Sequence, residues 1–210
     1  MKNYLKNQEL LTKNYVYSKE MEHDACGVGL IASTEGKKSR QVVNYGIEAL
    51  KAVWHRGAVD ADGKTGDGAG IHLEIPRDFF IEKIEVTGHD YDKSEICVGM
   101  IFLPRNDYSS QESCKTIVES ELTKNNFSIY GWRQVPVNPK VLGEKANITR
   151  PEISQVIFKH NDKNLTGKNL ERKIYESRRK IEKEAIKKSI EGFYICSLSS
   201  KSIIYKGMFL

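Results

Sequence analysis

At 210 residues the chain is long enough for one domain with a buried core. Its 39% hydrophobic and 29% charged content excludes a disordered chain, and no apolar run nears the roughly 18 residues of a membrane span. The formal charge of +5 is mild and comes without any recognition motif, which argues against nucleic-acid binding.

Residues 1–25 are polar and rich in Lys, Glu and Asn, with Leu10, Leu11, Tyr15, Val16 and Tyr17 as the main apolar exceptions. They lack the apolar centre of a secretory signal. Val28, Leu30 and Ala32 then alternate with Gly27, Gly29 and Ile31, a strand pattern, and residues 34–37 read as a turn. Ser39 is a candidate N-cap for a helix with Val43, Ile47, Leu50 and Trp54 on one face, and Gly57 is a natural stop. Residues 58–70 form a loop rich in Gly and Asp. Ile71, Leu73 and Ile75 make the next strand, ended by Pro76.

Residues 96–103 are almost continuously apolar, which predicts a strand covered on both faces. Residues 113–125 predict a helix with Cys114, Ile117, Val118 and Leu122 inward. Residues 127–135 predict a strand, 137–151 an irregular connection, and 155–159 a short strand. The longest predicted helix spans 168–191, with Leu170, Ile174, Ile181 and Ile190 as its core stripe and a basic, solvated outer face. Strands at 193–198 and 202–208 close the chain as an expected hairpin. This mixture predicts a layered α/β or α+β domain.

Most local motifs carry little chemistry. Gly63-Lys64-Thr65 lacks the earlier glycine of a phosphate loop, because position 58 is Ala, and Asp60 and Asp62 would repel phosphate. A calcium loop starting at Asp60 would need Glu at 71, which is Ile. The remaining readings are a turn-rich connection, or a loop passing so close to another backbone that side chains would not fit. His23, Asp24 and Cys26 are too crowded for a metal site. His72, His89 and His160 read as surface or core residues. Of the four cysteines, Cys97, Cys114 and Cys196 lie in apolar stretches and read as packing residues. No CxxC spacing occurs, and with no export signal a reduced, cytoplasmic location is expected.

Cys26 differs from the others. It opens the "CGVGLIA" stretch after a polar leader. One reading is a buried strand cysteine. The other is a nucleophile exposed by cleavage after Ala25. A free α-amine, with a pKa of about 7.7–8.0, can take the thiol proton, whereas the amide nitrogen of an uncut bond cannot. His55-Arg56-Gly57 ends the predicted helix about thirty residues later. Those residues either cap the helix or, if strand and helix fold back on each other, bring Arg56 beside the first strand residue.

"CGVGLIA", "HRGAVDADGKTGDGAG" with "IHLEIPRDFF", "GWRQVPVNPKVLGE", "ERKIYESRRKIEKE" and "SLSSKSIIYKGM" occur in that order. Together they resemble the N-terminal region of the glutamate synthase large-subunit family. The "HRG" following the cysteine also resembles class II glutamine amidotransferases generally.

That resemblance implies an α+β fold of the N-terminal-nucleophile (Ntn) hydrolase type, a four-layer αββα sandwich incomplete at its C-terminus. It implies a propeptide at 1–25 and an amidotransferase domain over 26–210, with Cys26 catalytic and His55, Arg56 and Gly57 supporting it near L-glutamine. Ammonia released by Cys26 would aminate 2-oxoglutarate elsewhere in the full enzyme. No cofactor is implied for this segment; FMN and an iron–sulfur cluster are implied for the full-length enzyme. The implied partners are L-glutamine, synthase domains of the same polypeptide and a small electron-donating subunit, with no nucleic acid and no membrane. The family's carboxylate-binding arginine, Asn-Gly oxyanion hole and amine-binding aspartate are expected beyond Leu210. The segment is therefore expected to be inactive alone. The alternatives are a non-catalytic paralogue acting as a binding or regulatory module, and an amidotransferase feeding another acceptor.

Overall fold

The computed structural model describes residues 2–14, 27–53, 59–89, 91 and 96–208. Helix α1 (Lys2–Asn14) has no acidic residue in its first turn, and those of its side chains that are described are exposed. Residues 27–33 form no strand. The alternation of Val28 and Leu30 is real, but neither residue is covered: they are 94% and 89% exposed. A period-two pattern makes a strand only when a neighbour supplies a hydrogen-bond ladder, and no described residue does so here. The turn at Thr34 and Glu35 is present, closed by Gly36 N–H donating to Ser33 C=O at 3.2 Å with Gly36 at φ +67°.

Helix α2 (Arg40–Ala52) starts where expected. Ser39 is extended, and its Oγ accepts from Val42 N–H at 3.3 Å, satisfying one orphan donor of the first turn. Val53 caps its C-terminus. The expected contact of Trp54 and the stop at Gly57 lie outside the described residues.

Strand β1 (Gly68–Glu74) pairs antiparallel with β6 (Ser202–Met208), Gly68 opposite Met208 and Glu74 opposite Ser202. Helix α3 (Arg77–Glu85), absent from the sequence reading, buries Phe80, Ile81 and Ile84. Strands β2 (Cys97–Leu103), β3 (Phe127–Gln134), β4 (Glu152–His160) and β5 (Tyr194–Ser199) form a second sheet in the order β3-β4-β2-β5, with every pair antiparallel. The short strand expected at 155–159 is thus nine residues long and central. β2 is covered on both faces, as its apolar run predicts.

Helix α4 (Tyr108–Lys124) begins five residues before the expected start. Asp107 caps it, accepting from Ser110 N–H at 3.0 Å. Residues 137–151 are not wholly irregular: a 3-10 turn spans Pro139–Val141, and helix α5 spans Glu144–Thr149. Helix α6 (Gly167–Lys187) buries Leu170, Ile174, Ser177, Ile181 and Ala185. Ile190 lies beyond the helix end but packs against the same core. Lys188 N–H and Ser189 N–H close the helix on Glu184 C=O and Ile186 C=O.

The expected terminal hairpin is not formed. β5 belongs to the four-stranded sheet and β6 to the two-stranded one, so the chain changes sheet at residues 199–202. The corner has its own anchors. The Glu171 carboxylate accepts from Ser199 Oγ at 3.0 Å, and from Ser200 N–H at 2.7 Å and Oγ at 2.5 Å. Arg77 donates to Ser200 C=O at 2.7 Å and to Ile96 C=O at 3.0 Å. Buried backbone groups need partners, and these two side chains supply them where the ladder is broken.

Two apolar cores follow. One lies between the four-stranded sheet and helices α4 and α6, built on Phe127, Phe158, Ile101, Leu122, Ile174 and Ile181. The other lies between the two sheets and against α3, built on Phe80, Ile84, Val98, Met100, Cys196 and Ile203. Helix α2 covers the far side of β1, where a Cβ at Gly46 would meet Ile71 Cδ1 at 3.3 Å. The order of layers is helix, sheet, sheet, helices. This is an α+β domain with the αββα stacking that the resemblance implies.

Candidate active site

Cys26, His55, Arg56 and Gly57 lie outside the described residues. Their chain neighbours are described. A Cβ added at Gly27 would meet Val53 Cβ at 3.4 Å, so the residue after Cys26 rests on the end of α2, two positions before His55. From that end the chain leads through residues 59–66 into the start of β1.

Residues 59–66 form a closed turn. Val59 and Gly66 are bridged, Asp60 N–H donates to Thr65 C=O at 2.7 Å, and Gly63 N–H donates to Asp60 C=O at 2.9 Å with Gly63 at φ +69°. Inside the turn, the Asp62 carboxylate accepts from Thr65 Oγ1 at 2.5 Å, Thr65 N–H at 2.6 Å and Lys64 N–H at 3.0 Å. These donors hold its pKa far below the ordinary carboxylate range, the Thr65 hydroxyl contributing most. The turn also reaches across the molecule. Lys145 Nζ donates to both Asp60 oxygens at 2.7 and 2.9 Å, and Ala146 N–H donates to Thr65 Oγ1 at 3.3 Å. This bridge lowers the Asp60 pKa and raises that of Lys145. A Cβ at Gly143 would overlap Thr65 Oγ1 and the Asp62 carboxylate.

The close-approach reading of this glycine-rich stretch is met at Gly70, where a Cβ would lie 2.9 Å from Tyr205 C=O and 2.8 Å from Lys206 Cβ. Both strands of the ribbon can run this close because one lacks a side chain at that point.

Between the sheets, where β1 begins and β6 ends, lies a cavity of about 850 Å³. Gly68, Gly70 and His72 form one wall, Phe102 and Tyr194 a second, and Ala146, Thr149 and Arg150 of the α5 region a third. Lys206 Nζ stands over the Tyr194 ring at 4.4 Å and donates to its hydroxyl at 2.9 Å. His72 therefore has a cavity position that its sequence context did not disclose. Among the described residues no acidic side chain lines the cavity, and the charged ones that do, Arg150 and Lys206, are cationic. The contribution of α5 was not legible because it sits within a stretch read as irregular.

Cys97, Cys114 and Cys196 are buried. Burial pushes the Cys114 thiol up to about 11 and raises Cys196 as well, which keeps both protonated and poorly nucleophilic. His160 is buried with its ring against Phe127, while His89 is exposed. Among the described residues no three His, Cys, Asp or Glu side chains converge as a metal site. No helix among them is long and apolar enough to cross a membrane.

The sequence model of the family described as Glutamine amidotransferases class-II matches residues 26–210, beginning at Cys26 itself. The chain belongs to this family. Class-II amidotransferases are Ntn hydrolases, and the stacked antiparallel sheets between helical layers accord with that fold. The glutamate synthase [NADPH] large chain of Azospirillum brasilense is 55% identical over 204 residues, covering 97% of this chain and 13% of that protein. The ferredoxin-dependent glutamate synthase of Pyropia yezoensis is 39% identical over 206 residues, covering 95% and 13%. A chloroplastic/mitochondrial ferredoxin-dependent glutamate synthase of Arabidopsis thaliana is 40% identical over 189 residues, covering 89% and 12%. This amidotransferase chain thus spans about an eighth of the length of these relatives.

Proposed function

We propose that the chain is the glutaminase segment of a glutamate synthase, with Cys26 as the nucleophile. The observation that carries this is the family match, which begins at Cys26 and leaves residues 1–25 outside it. Residues 1–25 are then a propeptide and 26–210 belong to the amidotransferase domain. Cleavage of the Ala25–Cys26 bond frees an α-amine. That amine accepts the thiol proton, and the Cys26 sulfur attacks the side-chain amide carbon of L-glutamine. The tetrahedral intermediate collapses as the ammonium gives its proton to the departing nitrogen. Ammonia leaves, and a γ-glutamyl thioester remains. Water attacks the thioester, releasing glutamate and restoring the thiol. His55, Arg56 and Gly57 support the site; the contact between Gly27 and Val53 is consistent with their lying near it.

In this reading the ammonia is used for reductive amination of 2-oxoglutarate by synthase domains of the same polypeptide, which carry the FMN and iron–sulfur cluster. An electron-donating subunit and a cytoplasmic location belong to the same proposal. No observation favours a non-catalytic module or another acceptor.

The test is Cys26→Ser in the intact protein. Glutaminase activity is expected to fall by at least about 10³-fold, as for loss of a nucleophile that acts as part of a unit. Intact mass of the wild-type protein is expected to show a chain starting at Cys26. Undiminished hydrolysis by the serine variant, or full activity with the leader retained, would overturn the reading.

A further inference from the structure

The apolar core between the two sheets is not closed where it meets the cavity. Phe102, Ile153 and Ile204 pack against that core, line the cavity as well, and stay only partly buried. Among the described residues that line the cavity, Ala146 alone is buried. Val137 and Tyr194 stand in its walls at 51% and 44% exposure. Val141 and Ile148, each next in sequence to a lining residue, are at 65% and 67%. Stacked sheets fill the space between their inner faces with side chains, and apolar groups exposed together mark a surface that something covers.

The charges specify the kind of cover. Arg150 and Lys206 line the cavity, and their partners are neutral: Arg150 Nε donates to Asn147 Oδ1 at 2.7 Å and Lys206 Nζ to the Tyr194 hydroxyl at 2.9 Å. A purely apolar cover would bury two cations without a counter-charge, which is costly. The cover therefore combines apolar side chains with at least one carboxylate. A small ligand is held by a pocket already formed around it. These walls are exposed or half-buried, which suits a layer of protein instead. The polypeptide itself can supply that layer. β6 runs beside the cavity as far as Gly207, so a continuing chain starts at its edge. The region that the relatives share with this chain is about an eighth of their length. A tethered segment also docks at high effective concentration.

We propose that the cavity is the seat of an apolar, carboxylate-bearing segment of the same polypeptide from beyond residue 210, which completes the core between the sheets and pairs with Lys206 and Arg150. The proposal rests on the chain being one segment of a longer polypeptide, as the proposed function has it, and not on the chemistry at Cys26.

The experiment uses the intact polypeptide, as a mixture of isotope-labelled and unlabelled protein. A water-soluble carbodiimide joins an amine to a carboxylate in direct contact, and peptide mass spectrometry identifies both. Expected is Lys206 joined to an Asp or Glu numbered above 210 in the same chain. Lys206 joined to another protein, to a second copy through mixed-isotope pairs, or to no carboxylate overturns the proposal. Limited proteolysis with thermolysin reads docking through cuts beyond residue 210. Val137 and Ile186 are both exposed in this structure, the first in a cavity wall and the second on α6. Such cuts are expected at least about tenfold faster in Val137→Asp and Lys206→Glu, less so in Lys206→Met, and within about threefold of wild type in Ile186→Asp. Unchanged cleavage in Val137→Asp, or Ile186→Asp as sensitive as Val137→Asp, overturns the proposal. Equal acceleration of cuts within residues 96–160 marks general unfolding and overturns it as well. So does acetylation of Lys206 as fast as that of the exposed Lys168 in dialysed protein, which would mark an open cavity or one that had lost a small ligand. None of these results touches the glutaminase reading, which stands or falls on Cys26→Ser.

Discussion

The four-stranded sheet with α4 and α6 and the β1–β6 ribbon with α2 are built to different standards. The first buries large side chains on both faces: Ile101, Phe127 and Phe158 toward α4 and α6, and Val98 and Met100 on the other side, are at most 2% exposed. In the second, α2 has no buried residue at all, β1 alternates between exposed and half-buried positions, and the apolar stretch before α2 stands in solvent. Yet the family match begins at Cys26, one position before the exposed stretch that leads into α2. The division teaches that burial is supplied unevenly in this fold: the helix-backed sheet is the frame, and the ribbon with α2 is the more open part.

The largest expected effect tests the frame. Phe158 is fully buried, with its ring centroid 5.4 Å from that of Phe127. In the 210-residue chain, Phe158→Ala should cost about 3–5 kcal/mol in urea unfolding, through lost transfer energy and an unfilled cavity. A cost below about 1 kcal/mol would break the comparison, because the frame would then be no better packed than the ribbon.

A middle-sized effect tests how the two parts are joined. Glu171 sits on α6 in the frame and binds the corner at which the chain enters β6. Glu171→Ala leaves the buried Ser200 N–H without its acceptor, a loss of about 1–3 kcal/mol. Amide exchange should quicken along β6 and its partner β1 more than in β3 and β4. Uniform acceleration across both sheets would mean that frame and ribbon open as one unit.

How much of this was legible follows the same line. β2 was readable because seven consecutive positions, six of them buried, left a continuous apolar run. The stripe of α6 was readable because Leu170, Ile174 and Ile181 recur at helical spacing. The errors lie where local pattern is silent about partners. β5 and β6 look like a hairpin because a short polar gap joins two apolar runs, and a change of sheet uses the same local sequence. Glu171, which fixes that choice, is nearly thirty residues away. α3 escaped notice although Phe80, Ile81 and Ile84 share a helical face, because its nine residues follow a proline that reads as a strand end. The start of α4 was missed because its first turn is polar and only Asp107 marks it. Cys26 was singled out by its flanks, and the family match begins at it. The contact between the 59–66 turn and the start of α5 could not be read, since neither Asp62 nor Gly143 indicates the other until the chain is folded.

The smallest expected effect is the sharpest test of the ribbon's character. Leu30 is 89% exposed in this structure, so replacing it removes almost no buried apolar area. Leu30→Ser should shift the stability of the 210-residue chain by no more than about 0.5 kcal/mol, the usual range for exposed positions away from caps and turns. A loss above about 1.5 kcal/mol would mean that residues 27–33 bury this side chain, which requires a neighbouring strand or helix against it. The alternation of Val28 and Leu30 would then be an ordinary half-buried strand added to the β1–β6 ribbon. The contrast between a packed frame and an open ribbon would shrink to a difference in helix cover alone.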